Sequence, residues 1–251
     1  MQTVTSTDGA EIAYREVGDG PPLVLVHGGG LGESLWTHLR PQLVTDTTVV
    51  APYRRGHGQS GDAAAYSLDR ESDDISAVVE KIDGPPTVFG HSFGGLCALE
   101  AARTTPVERL ILYEPALLVG NHRNDATLAA EMESLIETGE RRQAMALYLR
   151  KATGLEHIDH LLTPEMLDHA EIAVRQNRAI ERYRLDETLD LSVPTLLLVS
   201  EDGPEHLRDG VRTLHERLPN SQLVELEGMG HQGIVSEPER VAATITAFVG
   251  R

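Results

Sequence analysis

The chain has 251 residues, with 39 acidic against 22 basic side chains and a formal net charge of −17 at neutral pH. This acidity and the lack of a basic run argue against a nucleic-acid partner, and no stretch is apolar for long enough to predict a membrane span. The single cysteine, Cys97, cannot form a disulfide within the chain. The sequence does not begin with a basic segment followed by an apolar one, so we expect a cytoplasmic protein without a membrane partner. The pattern does not predict an oligomeric state.

The first third of the chain alternates between short apolar runs and glycine-rich loops. Residues 2–17 alternate in polarity around an Asp-Gly turn at positions 8 and 9, which predicts a hairpin. The run 23–26 predicts a strand buried on both faces, and a His-Gly-Gly-Gly loop follows it at 27–30. The next predicted elements are a helix beginning near Glu33, a strand at 48–52, the loop Tyr-Arg-Arg-Gly-His-Gly-Gln-Ser at 53–60 and a helix at 67–82.

The pattern Gly-x-Ser-x-Gly centred on Ser92 stands between a predicted buried strand at 87–89 and a predicted helix at 96–102. A strand that turns directly into a helix forces the residue at the apex into strained backbone geometry. The residues two before and two after must then be small, which Gly90 and Gly94 satisfy. Ser92 would lie at a helix N-terminus, where free N–H groups favour developing negative charge. This arrangement is typical of a nucleophilic serine.

The alternation of predicted strands and helices stops after a predicted buried strand at 110–113, which is followed by Glu114. Residues 117–190 hold no convincing strand and predict several helices with charged faces, after which strands and helices alternate again. The predicted elements are helices around 125–138, 140–152 and 164–184, a strand at 193–199, a helix over 204–218, a strand at 222–226, and a final helix opened by the capping box Ser236-x-x-Glu239.

The alternation of strands with helices predicts an α/β fold whose mostly parallel sheet is covered by helices on both faces. In such sheets, binding sites lie at the carboxyl ends of the strands. We therefore expect the polar residues that follow predicted strands to converge on one edge: His27, Tyr53, Ser92, Glu114, Asp202 and His231.

Taken in order, these motifs resemble the α/β-hydrolase fold family, in particular its lid-bearing serine esterases and lactonases. The resemblance covers nearly the whole chain. It rests on the helical segment and on the motifs at 27–30, 55–60, 90–95 and 228–231. It implies a sheet of about eight strands. It also implies a hydrolase core of residues 1–116 and 191–251, with a helical lid at 117–190.

The resemblance further implies a triad in the chain order nucleophile, acid, histidine. Ser92 would be the nucleophile, and His231 would be its general base and then the general acid. The backbone N–H groups of Phe93 and Gly29 would form the oxyanion hole. The other histidines are expected outside this machinery: His91 pointing away from Ser92, His27 and His57 hydrogen-bonded in loops, and His122, His157, His160 and His169 on solvated helix faces.

Two carboxylates are candidates for the triad acid. Many members of the family place an Asp after the seventh strand, but here Gly203 stands at that register and Asp202 lies one residue early. Others take the acid from the end of the sixth strand, where Glu114 stands. We favour Glu114 and keep Asp202 as the alternative; Asp202 would otherwise cap the helix over 204–218. In addition, Tyr53 replaces an Asp that is common before the Arg-Gly-His-Gly motif, which affects either loop anchoring or the pocket wall.

The expected function is that of a serine hydrolase that cleaves a small-molecule carboxylic ester or lactone through an acyl-enzyme, without a cofactor or a metal. The alternatives are a C–C bond hydrolase, a cofactor-free haloperoxidase and a non-catalytic ligand-binding member of the fold. Epoxide hydrolases and dehalogenases are disfavoured because those relatives carry an aspartate nucleophile in place of Ser92. Four residues of the helical segment are candidates for the pocket, although packing within the lid is their expected use: Leu135, Met145, Tyr148 and Tyr183.

Overall fold

A computed structural model describes residues 1–30, 32–124 and 126–250. Its strands are β1 (Gln2–Thr5), β2 (Glu11–Val17), β3 (Pro22–Val26), β4 (Thr48–Pro52), β5 (Thr87–His91), β6 (Arg109–Tyr113), β7 (Thr195–Ser200) and β8 (Ser221–Leu226). They form one eight-stranded sheet in the order β1-β2-β4-β3-β5-β6-β7-β8. The pairs β1–β2 and β2–β4 are antiparallel, and the other neighbouring pairs are parallel. The predicted α/β fold with a mostly parallel sheet is confirmed.

The helices connect the strands and cover the sheet. They are α1 (Arg40–Leu43), α2 (Leu68–Lys81), α3 (Phe93–Ala102), α4 (Leu128–Glu137), α5 (Arg141–Thr153), α6 (Pro164–Asp168), α7 (Ala170–Arg182), α8 (Glu205–Arg217), α9 (Gly233–Ser236) and α10 (Pro238–Val249). Short 3₁₀ helices lie at Gly32–Trp36, Gly120–Arg123 and Asp159–Leu161. Asp125, the first residue of a predicted helix, and Arg251, the last residue of the predicted core, lie outside the described residues.

The sheet is buried on both faces, as the continuous apolar strands predict. Along β3, Val24 belongs to a core cluster that includes side chains of α2, α3 and α8. Its neighbour Leu25 belongs to a second cluster, which includes side chains of α1 and α10. Successive side chains of a strand point to opposite faces, so the two clusters are the two helical layers of the fold.

Helices α4 to α7 follow β6 and precede β7, and they form a hydrophobic cluster of their own. Buried side chains from each of them meet there, including Met132, Met145, Met166 and Val174. Among the residues that the structure describes between β6 and β7, none is assigned to a strand, in agreement with the sequence pattern. The division into a core and a lid at 117 and 190 stays a prediction.

Two predicted helix boundaries were wrong. The predicted helix over 164–184 is broken at His169, which separates α6 from α7. The imidazole of His169 donates to the carbonyl of Gly30 at 3.1 Å, so a contact with another loop accompanies the break. At the other end of the chain, Ser236 ends α9 instead of opening the final helix. Helix α10 begins at Pro238 without a side-chain cap; proline suits a first turn because it has no N–H to satisfy.

Candidate active site

Ser92 occupies the turn between β5 and α3 with a left-handed backbone, at φ 54° and ψ −123°. The exit of β6 holds this turn in place: the N–H of Ser92 donates to the carbonyl of Tyr113 at 3.0 Å, and the N–H of Ala116 donates to the carbonyl of Ser92 at 3.0 Å. A non-glycine residue in this region of backbone space costs on the order of 1–3 kcal/mol, which the surrounding structure must offset.

The glycines around Ser92 allow backbone to pass directly against backbone. A Cβ atom at Gly90 would lie 2.6 Å from the Cα of Gly95, and one at Gly94 would lie 2.3 Å from the carbonyl oxygens of Val26 and His27. No side chain fits at these distances without moving the backbone. Small residues are therefore required on both sides of the serine, because the backbone at these positions lies directly against α3 and the end of β3.

Glu114 and His231 form a buried pair at the carboxyl edge of the sheet. The imidazole donates through Nδ1 to Oε2 of Glu114 at 2.7 Å, and both side chains are almost fully excluded from solvent. The other carboxylate oxygen, Oε1, accepts from the backbone N–H of Ser200 at 2.9 Å. Glu114 itself has a φ of 42°. Ser92 and Glu114, which directly follow the neighbouring parallel strands β5 and β6, therefore both have a left-handed backbone.

Asp202, the alternative acid, does not approach the imidazole in this arrangement. Its side chain is exposed, and its backbone N–H donates to the carbonyl of Met229 at 2.9 Å. The expectation that Asp202 caps the following helix was wrong, because the N-cap of α8 is Pro204 and no side chain bonds to that helix end. The structure thus brings Glu114 to His231 and leaves Asp202 at the surface.

The glycine loop after β3 lies against the Ser92 turn. A Cβ atom at Gly28 would sit 3.1 Å from the Cβ of Ser92, so the loop and the serine are in close contact. Two hydrogen bonds from the Arg54 guanidinium hold this loop: it donates to the carbonyl of His27 at 2.8 Å and to that of Gly28 at 3.1 Å. The guanidinium is fully buried and is paired with Glu71 at 2.8 Å. Across the described ranges, the backbone N–H groups of Gly29 and Phe93 have no protein acceptor.

Two cavities meet at Ser92. The larger, of about 330 Å³, extends past Phe93 towards α4, α7 and α8. The smaller, of about 30 Å³, is lined by Gly29 and His231 as well as Ser92. Tyr148 of α5 lines both cavities. Of the predicted site residues, Ser92 lines both cavities, Phe93 lines the larger one, and Gly29 and His231 line the smaller one. Glu114 is bound to the far side of the His231 ring.

Comparison with known proteins agrees with this arrangement of elements. The sequence profile described as "Alpha/beta hydrolase family" matches residues 23–244. The chain belongs to the alpha/beta hydrolase family. The hydrolase resembles "Uncharacterized hydrolase YraK" of Bacillus subtilis, at 33% identity over 185 residues that span 71% of this chain and 68% of that protein. It also resembles "Lipase LipV" of Mycobacterium tuberculosis, at 29% identity over 254 residues that span 92% and 94% of the two chains.

A solved relative has the same overall structure. An alpha/beta hydrolase from Sphaerobacter thermophilus superposes on this alpha/beta hydrolase with a TM-score of 0.84 and 28% sequence identity, over 99% of this chain and 100% of the other. The resemblance inferred from the motifs is thereby confirmed, and the chain is an enzyme of the alpha/beta hydrolase type.

Two polar residues of the helical segment lie over the glycine loop of this hydrolase, and the sequence did not predict them as a pair. A Cβ atom at Gly29 would meet the hydroxyl of Tyr148 at 2.2 Å and Oε1 of Gln176 at 2.9 Å. Burial raises the pKa of the Tyr148 phenol to about 12, so it stays protonated and able to donate. Nε2 of Gln176 is buried without a partner in the described part of the chain. No sequence motif marks either residue, because their position depends on how α5 and α7 pack over the sheet.

Three histidines of the hydrolase have contacts that the sequence did not predict. His91, expected to point away from Ser92, lines the smaller cavity, stacks on the His231 ring at 4.5 Å and donates through Nε2 to the carbonyl of His231 at 3.0 Å. His169, expected on a solvated face, is buried beside His57, with ring centroids 4.5 Å apart. His206, which the sequence did not single out, lines the larger cavity, and burial, followed by the neighbouring His231 imidazole, lowers its pKa to about 4.

The remaining predicted positions have structural neighbours outside the cavities. The hydroxyl of Tyr53 accepts from Nε of Arg15 at 3.1 Å and donates to Glu33 at 3.4 Å, which anchors the loop after β4. Tyr183 donates to Glu100 of α3 at 2.6 Å, so it does not pack within the helical segment as expected. Met145 does pack there, and Leu135 lies against the same cluster.

Among residues 1–30, 32–124 and 126–250, no group of three or more His, Cys, Asp or Glu side chains is arranged to hold a metal ion. Within those same ranges, no helix combines the length and the apolarity needed to cross a membrane.

Proposed function

We propose that this protein is a serine hydrolase that cleaves a carboxylic ester or a lactone of a small molecule through an acyl-enzyme intermediate. The observation that carries the proposal is that Ser92 and His231 line one cavity while the far nitrogen of His231 is bound to Glu114 at 2.7 Å. A serine nucleophile needs a neutral imidazole beside it, and the imidazole needs a fixed acceptor behind it.

In the proposed reaction, Ser92 is the nucleophile, His231 the base and Glu114 the acid of the triad. Because Nδ1 of His231 donates to Glu114, Nε2 is left free to accept the serine proton. As that proton moves, Oγ of Ser92 forms a bond to the carbonyl carbon. The imidazolium then gives the same proton to the leaving alkoxide as the C–O bond breaks. Glu114 stabilises the imidazolium and remains a carboxylate throughout.

The backbone N–H groups of Phe93 and Gly29 are the proposed oxyanion donors. The first residue of a helix offers a free N–H at its positive end, and Phe93 is the first residue of α3. Gly29 has no side chain to hold a substrate carbonyl away from its backbone. In comparable sites, the loss of one such donor costs about 3 kcal/mol of transition-state stabilisation.

The second half of the proposed cycle releases the carboxylic acid product. Water takes the place of the alcohol, gives a proton to Nε2 of His231 and attacks the acyl carbon. The proton then returns to Oγ of Ser92 as the C–O bond to the enzyme breaks. Neither half requires an external oxidant, reductant or metal. In this proposal, residues 117–190 are the lid that covers the reacting ester, and residues 1–116 and 191–251 are the core.

The test is covalent labelling with a fluorophosphonate probe, which reacts with activated serines. We expect labelling of the intact protein and none of Ser92→Ala, together with a loss on the order of 10³-fold or more in the kcat for ester hydrolysis. Ser236→Ala removes an exposed hydroxyl at the end of α9 and serves as the matched control that keeps both signals. A protein that hydrolyses nothing and is not labelled would instead be a non-catalytic binding member of the family.

A further inference from the structure

The two cavities that meet at Ser92 differ about elevenfold in volume, at about 330 Å³ and about 30 Å³. Ser92 lines both cavities. An ester whose carbonyl is held at the serine would therefore extend its acyl group, the acyl arm, into one cavity and its alcohol group, the alcohol arm, into the other. Tyr148 and Ala152 of α5 also line both spaces. An ester in this site is therefore held between compartments of unequal size.

The position of His231 decides which arm enters which cavity. His231 lines the smaller cavity and is absent from the described lining of the larger one. The leaving oxygen must be within hydrogen-bond reach of the imidazole that protonates it. The alcohol arm therefore belongs on the His231 side, and the acyl arm extends past Phe93 into the larger cavity.

The smaller cavity limits the alcohol severely. Its volume is less than a tenth of that of the larger cavity. Apolar side chains of Leu35, Leu149, Leu161 and Met166 contribute to its wall. Such a space suits a methyl or ethyl group. After the alcohol leaves, it also has room for one water next to His231, as the second half of the reaction needs.

The larger cavity has the opposite character. Its wall includes the apolar side chains of Phe93, Leu118, Ile180 and Leu207. Polar and charged groups, among them Lys151 and Glu131, line it as well. It can take an extended aliphatic or aromatic acyl group, since burial of each methylene contributes about 0.8 kcal/mol.

We propose that the preferred substrates are esters of a large, mainly apolar acyl group with methanol or ethanol. This inference rests on the serine-hydrolase function proposed above and adds the direction in which the ester lies. It predicts that the size of the alcohol, and not the length of the acyl chain, sets the limit on turnover.

The test compares two isomers, methyl octanoate and heptyl acetate, which have the same atoms and both release a primary alcohol. We expect kcat/KM for methyl octanoate to be higher by about tenfold or more, because each methylene that fails to fit costs a factor of that order. Fluorophosphonate labelling of Ser92 is measured on the same preparation.

A matched pair of variants tests the cavity assignment. Leu161→Ala removes a half-buried aliphatic wall of the smaller cavity, and Ile180→Ala removes one of the larger cavity. With Leu161→Ala, the ratio of kcat/KM for butyl octanoate to that for methyl octanoate should rise by about tenfold. With Ile180→Ala, this ratio should stay that of the unmodified protein.

Each outcome separates the two claims. If Ser92 is labelled but heptyl acetate is the better isomer, if the two are equal, or if neither is hydrolysed, the proposed orientation is wrong and the serine nucleophile stands. An unchanged ratio in Leu161→Ala would equally contradict the assignment of the smaller cavity. Failure of labelling itself would overturn the proposed function.

Discussion

The two carboxylate oxygens of Glu114 accept hydrogen bonds from different groups, one from a side chain and one from the backbone. One oxygen accepts from His231 at 2.7 Å and the other from the N–H of Ser200 at 2.9 Å, in a position without solvent exposure. A buried carboxylate is costly unless it is hydrogen-bonded, so these bonds account for its tolerance in the core. They also fix the carboxylate between the ends of β6 and β7, from where it can orient the imidazole.

We predict that Glu114→Gln lowers kcat for ester hydrolysis by up to about 10⁴-fold, because the neutral amide keeps the shape but cannot stabilise the imidazolium. The matched variant Asp202→Asn changes an exposed carboxylate in the same way and should keep most of the activity. The measurement is steady-state kinetics on both variants. An active Glu114→Gln together with an inactive Asp202→Asn would assign the acid to Asp202.

At the scale of elements, α8 packs closely against the chain that leaves β6. Gly210 lies in the middle of α8, and a Cβ atom there would be 2.5 Å from the carbonyl oxygen of Leu117. The missing side chain lets the helix approach this carbonyl, next to the larger cavity that Leu207 of the same helix lines. Two effects of opposite sign then act on a substitution at this position: helix propensity and steric contact.

Gly210→Ala should destabilise the protein. Alanine gains about 1 kcal/mol of helix propensity over glycine, but a methyl group cannot stay 2.5 Å from a backbone oxygen, so α8 must move outwards. Thr213→Ala on the same helix gains propensity without this contact and is the control. Urea denaturation measures both free energies of unfolding; a Gly210→Ala variant more stable than the unmodified protein would show that the packing is looser than described.

At the scale of the whole molecule, several buried histidines are kept neutral. Burial lowers the pKa of His27, His57 and His91 well below the usual value of 6.5. The positive charge of Arg54 adds to the effect at His27 and His57, and the neighbouring His231 imidazole adds to it at His91. In the unfolded chain these imidazoles would take up protons near pH 6.5, whereas in the folded protein they do not.

The free energy of unfolding should therefore fall as the pH is lowered below about 6.5, because the unfolded state then binds more protons than the folded state. Above that pH these groups are neutral in both states and contribute no slope. Each contributes up to about 1.4 kcal/mol per pH unit below it. Urea denaturation at several pH values measures the slope.

Two histidine variants test the origin of that slope. His57→Gln should make it shallower, whereas His38→Gln, at an exposed position, should leave it unchanged. Identical slopes for the unmodified protein and the His57→Gln variant would contradict this account.

The sequence was sufficient for features whose signal is local. The turn at Ser92 follows from glycine spacing between a strand and a helix, and the position of Glu114 directly after β6 follows from the apolar run before it. Tyr148 was named as a candidate for the pocket, and it both lines the cavities and packs within the helical segment. Its place over the glycine loop beside Gln176 was not predicted, because nothing within α5 or α7 states which face will meet that loop after folding. His169 was misjudged for the same reason: its helical pattern is local, but its partners, Gly30 and His57, are more than a hundred residues away.

A side chain at position 203 and the carboxylate of Glu114, the proposed acid, would occupy the same space. Gly203 stands at the register where many members of the family carry their acid, and a Cβ atom there would lie 2.3 Å from Oε1 of Glu114. The two positions compete for one volume, so Gly203→Asp alone collides with Glu114, and loss of Glu114 alone leaves His231 without a carboxylate. With Glu114 as the proposed acid, moving the carboxylate from the end of β6 to the end of β7 therefore requires substitutions at both positions or a rebuilt loop. The proposed position of the acid at the end of β6 is therefore not one that a single substitution moves to the end of β7.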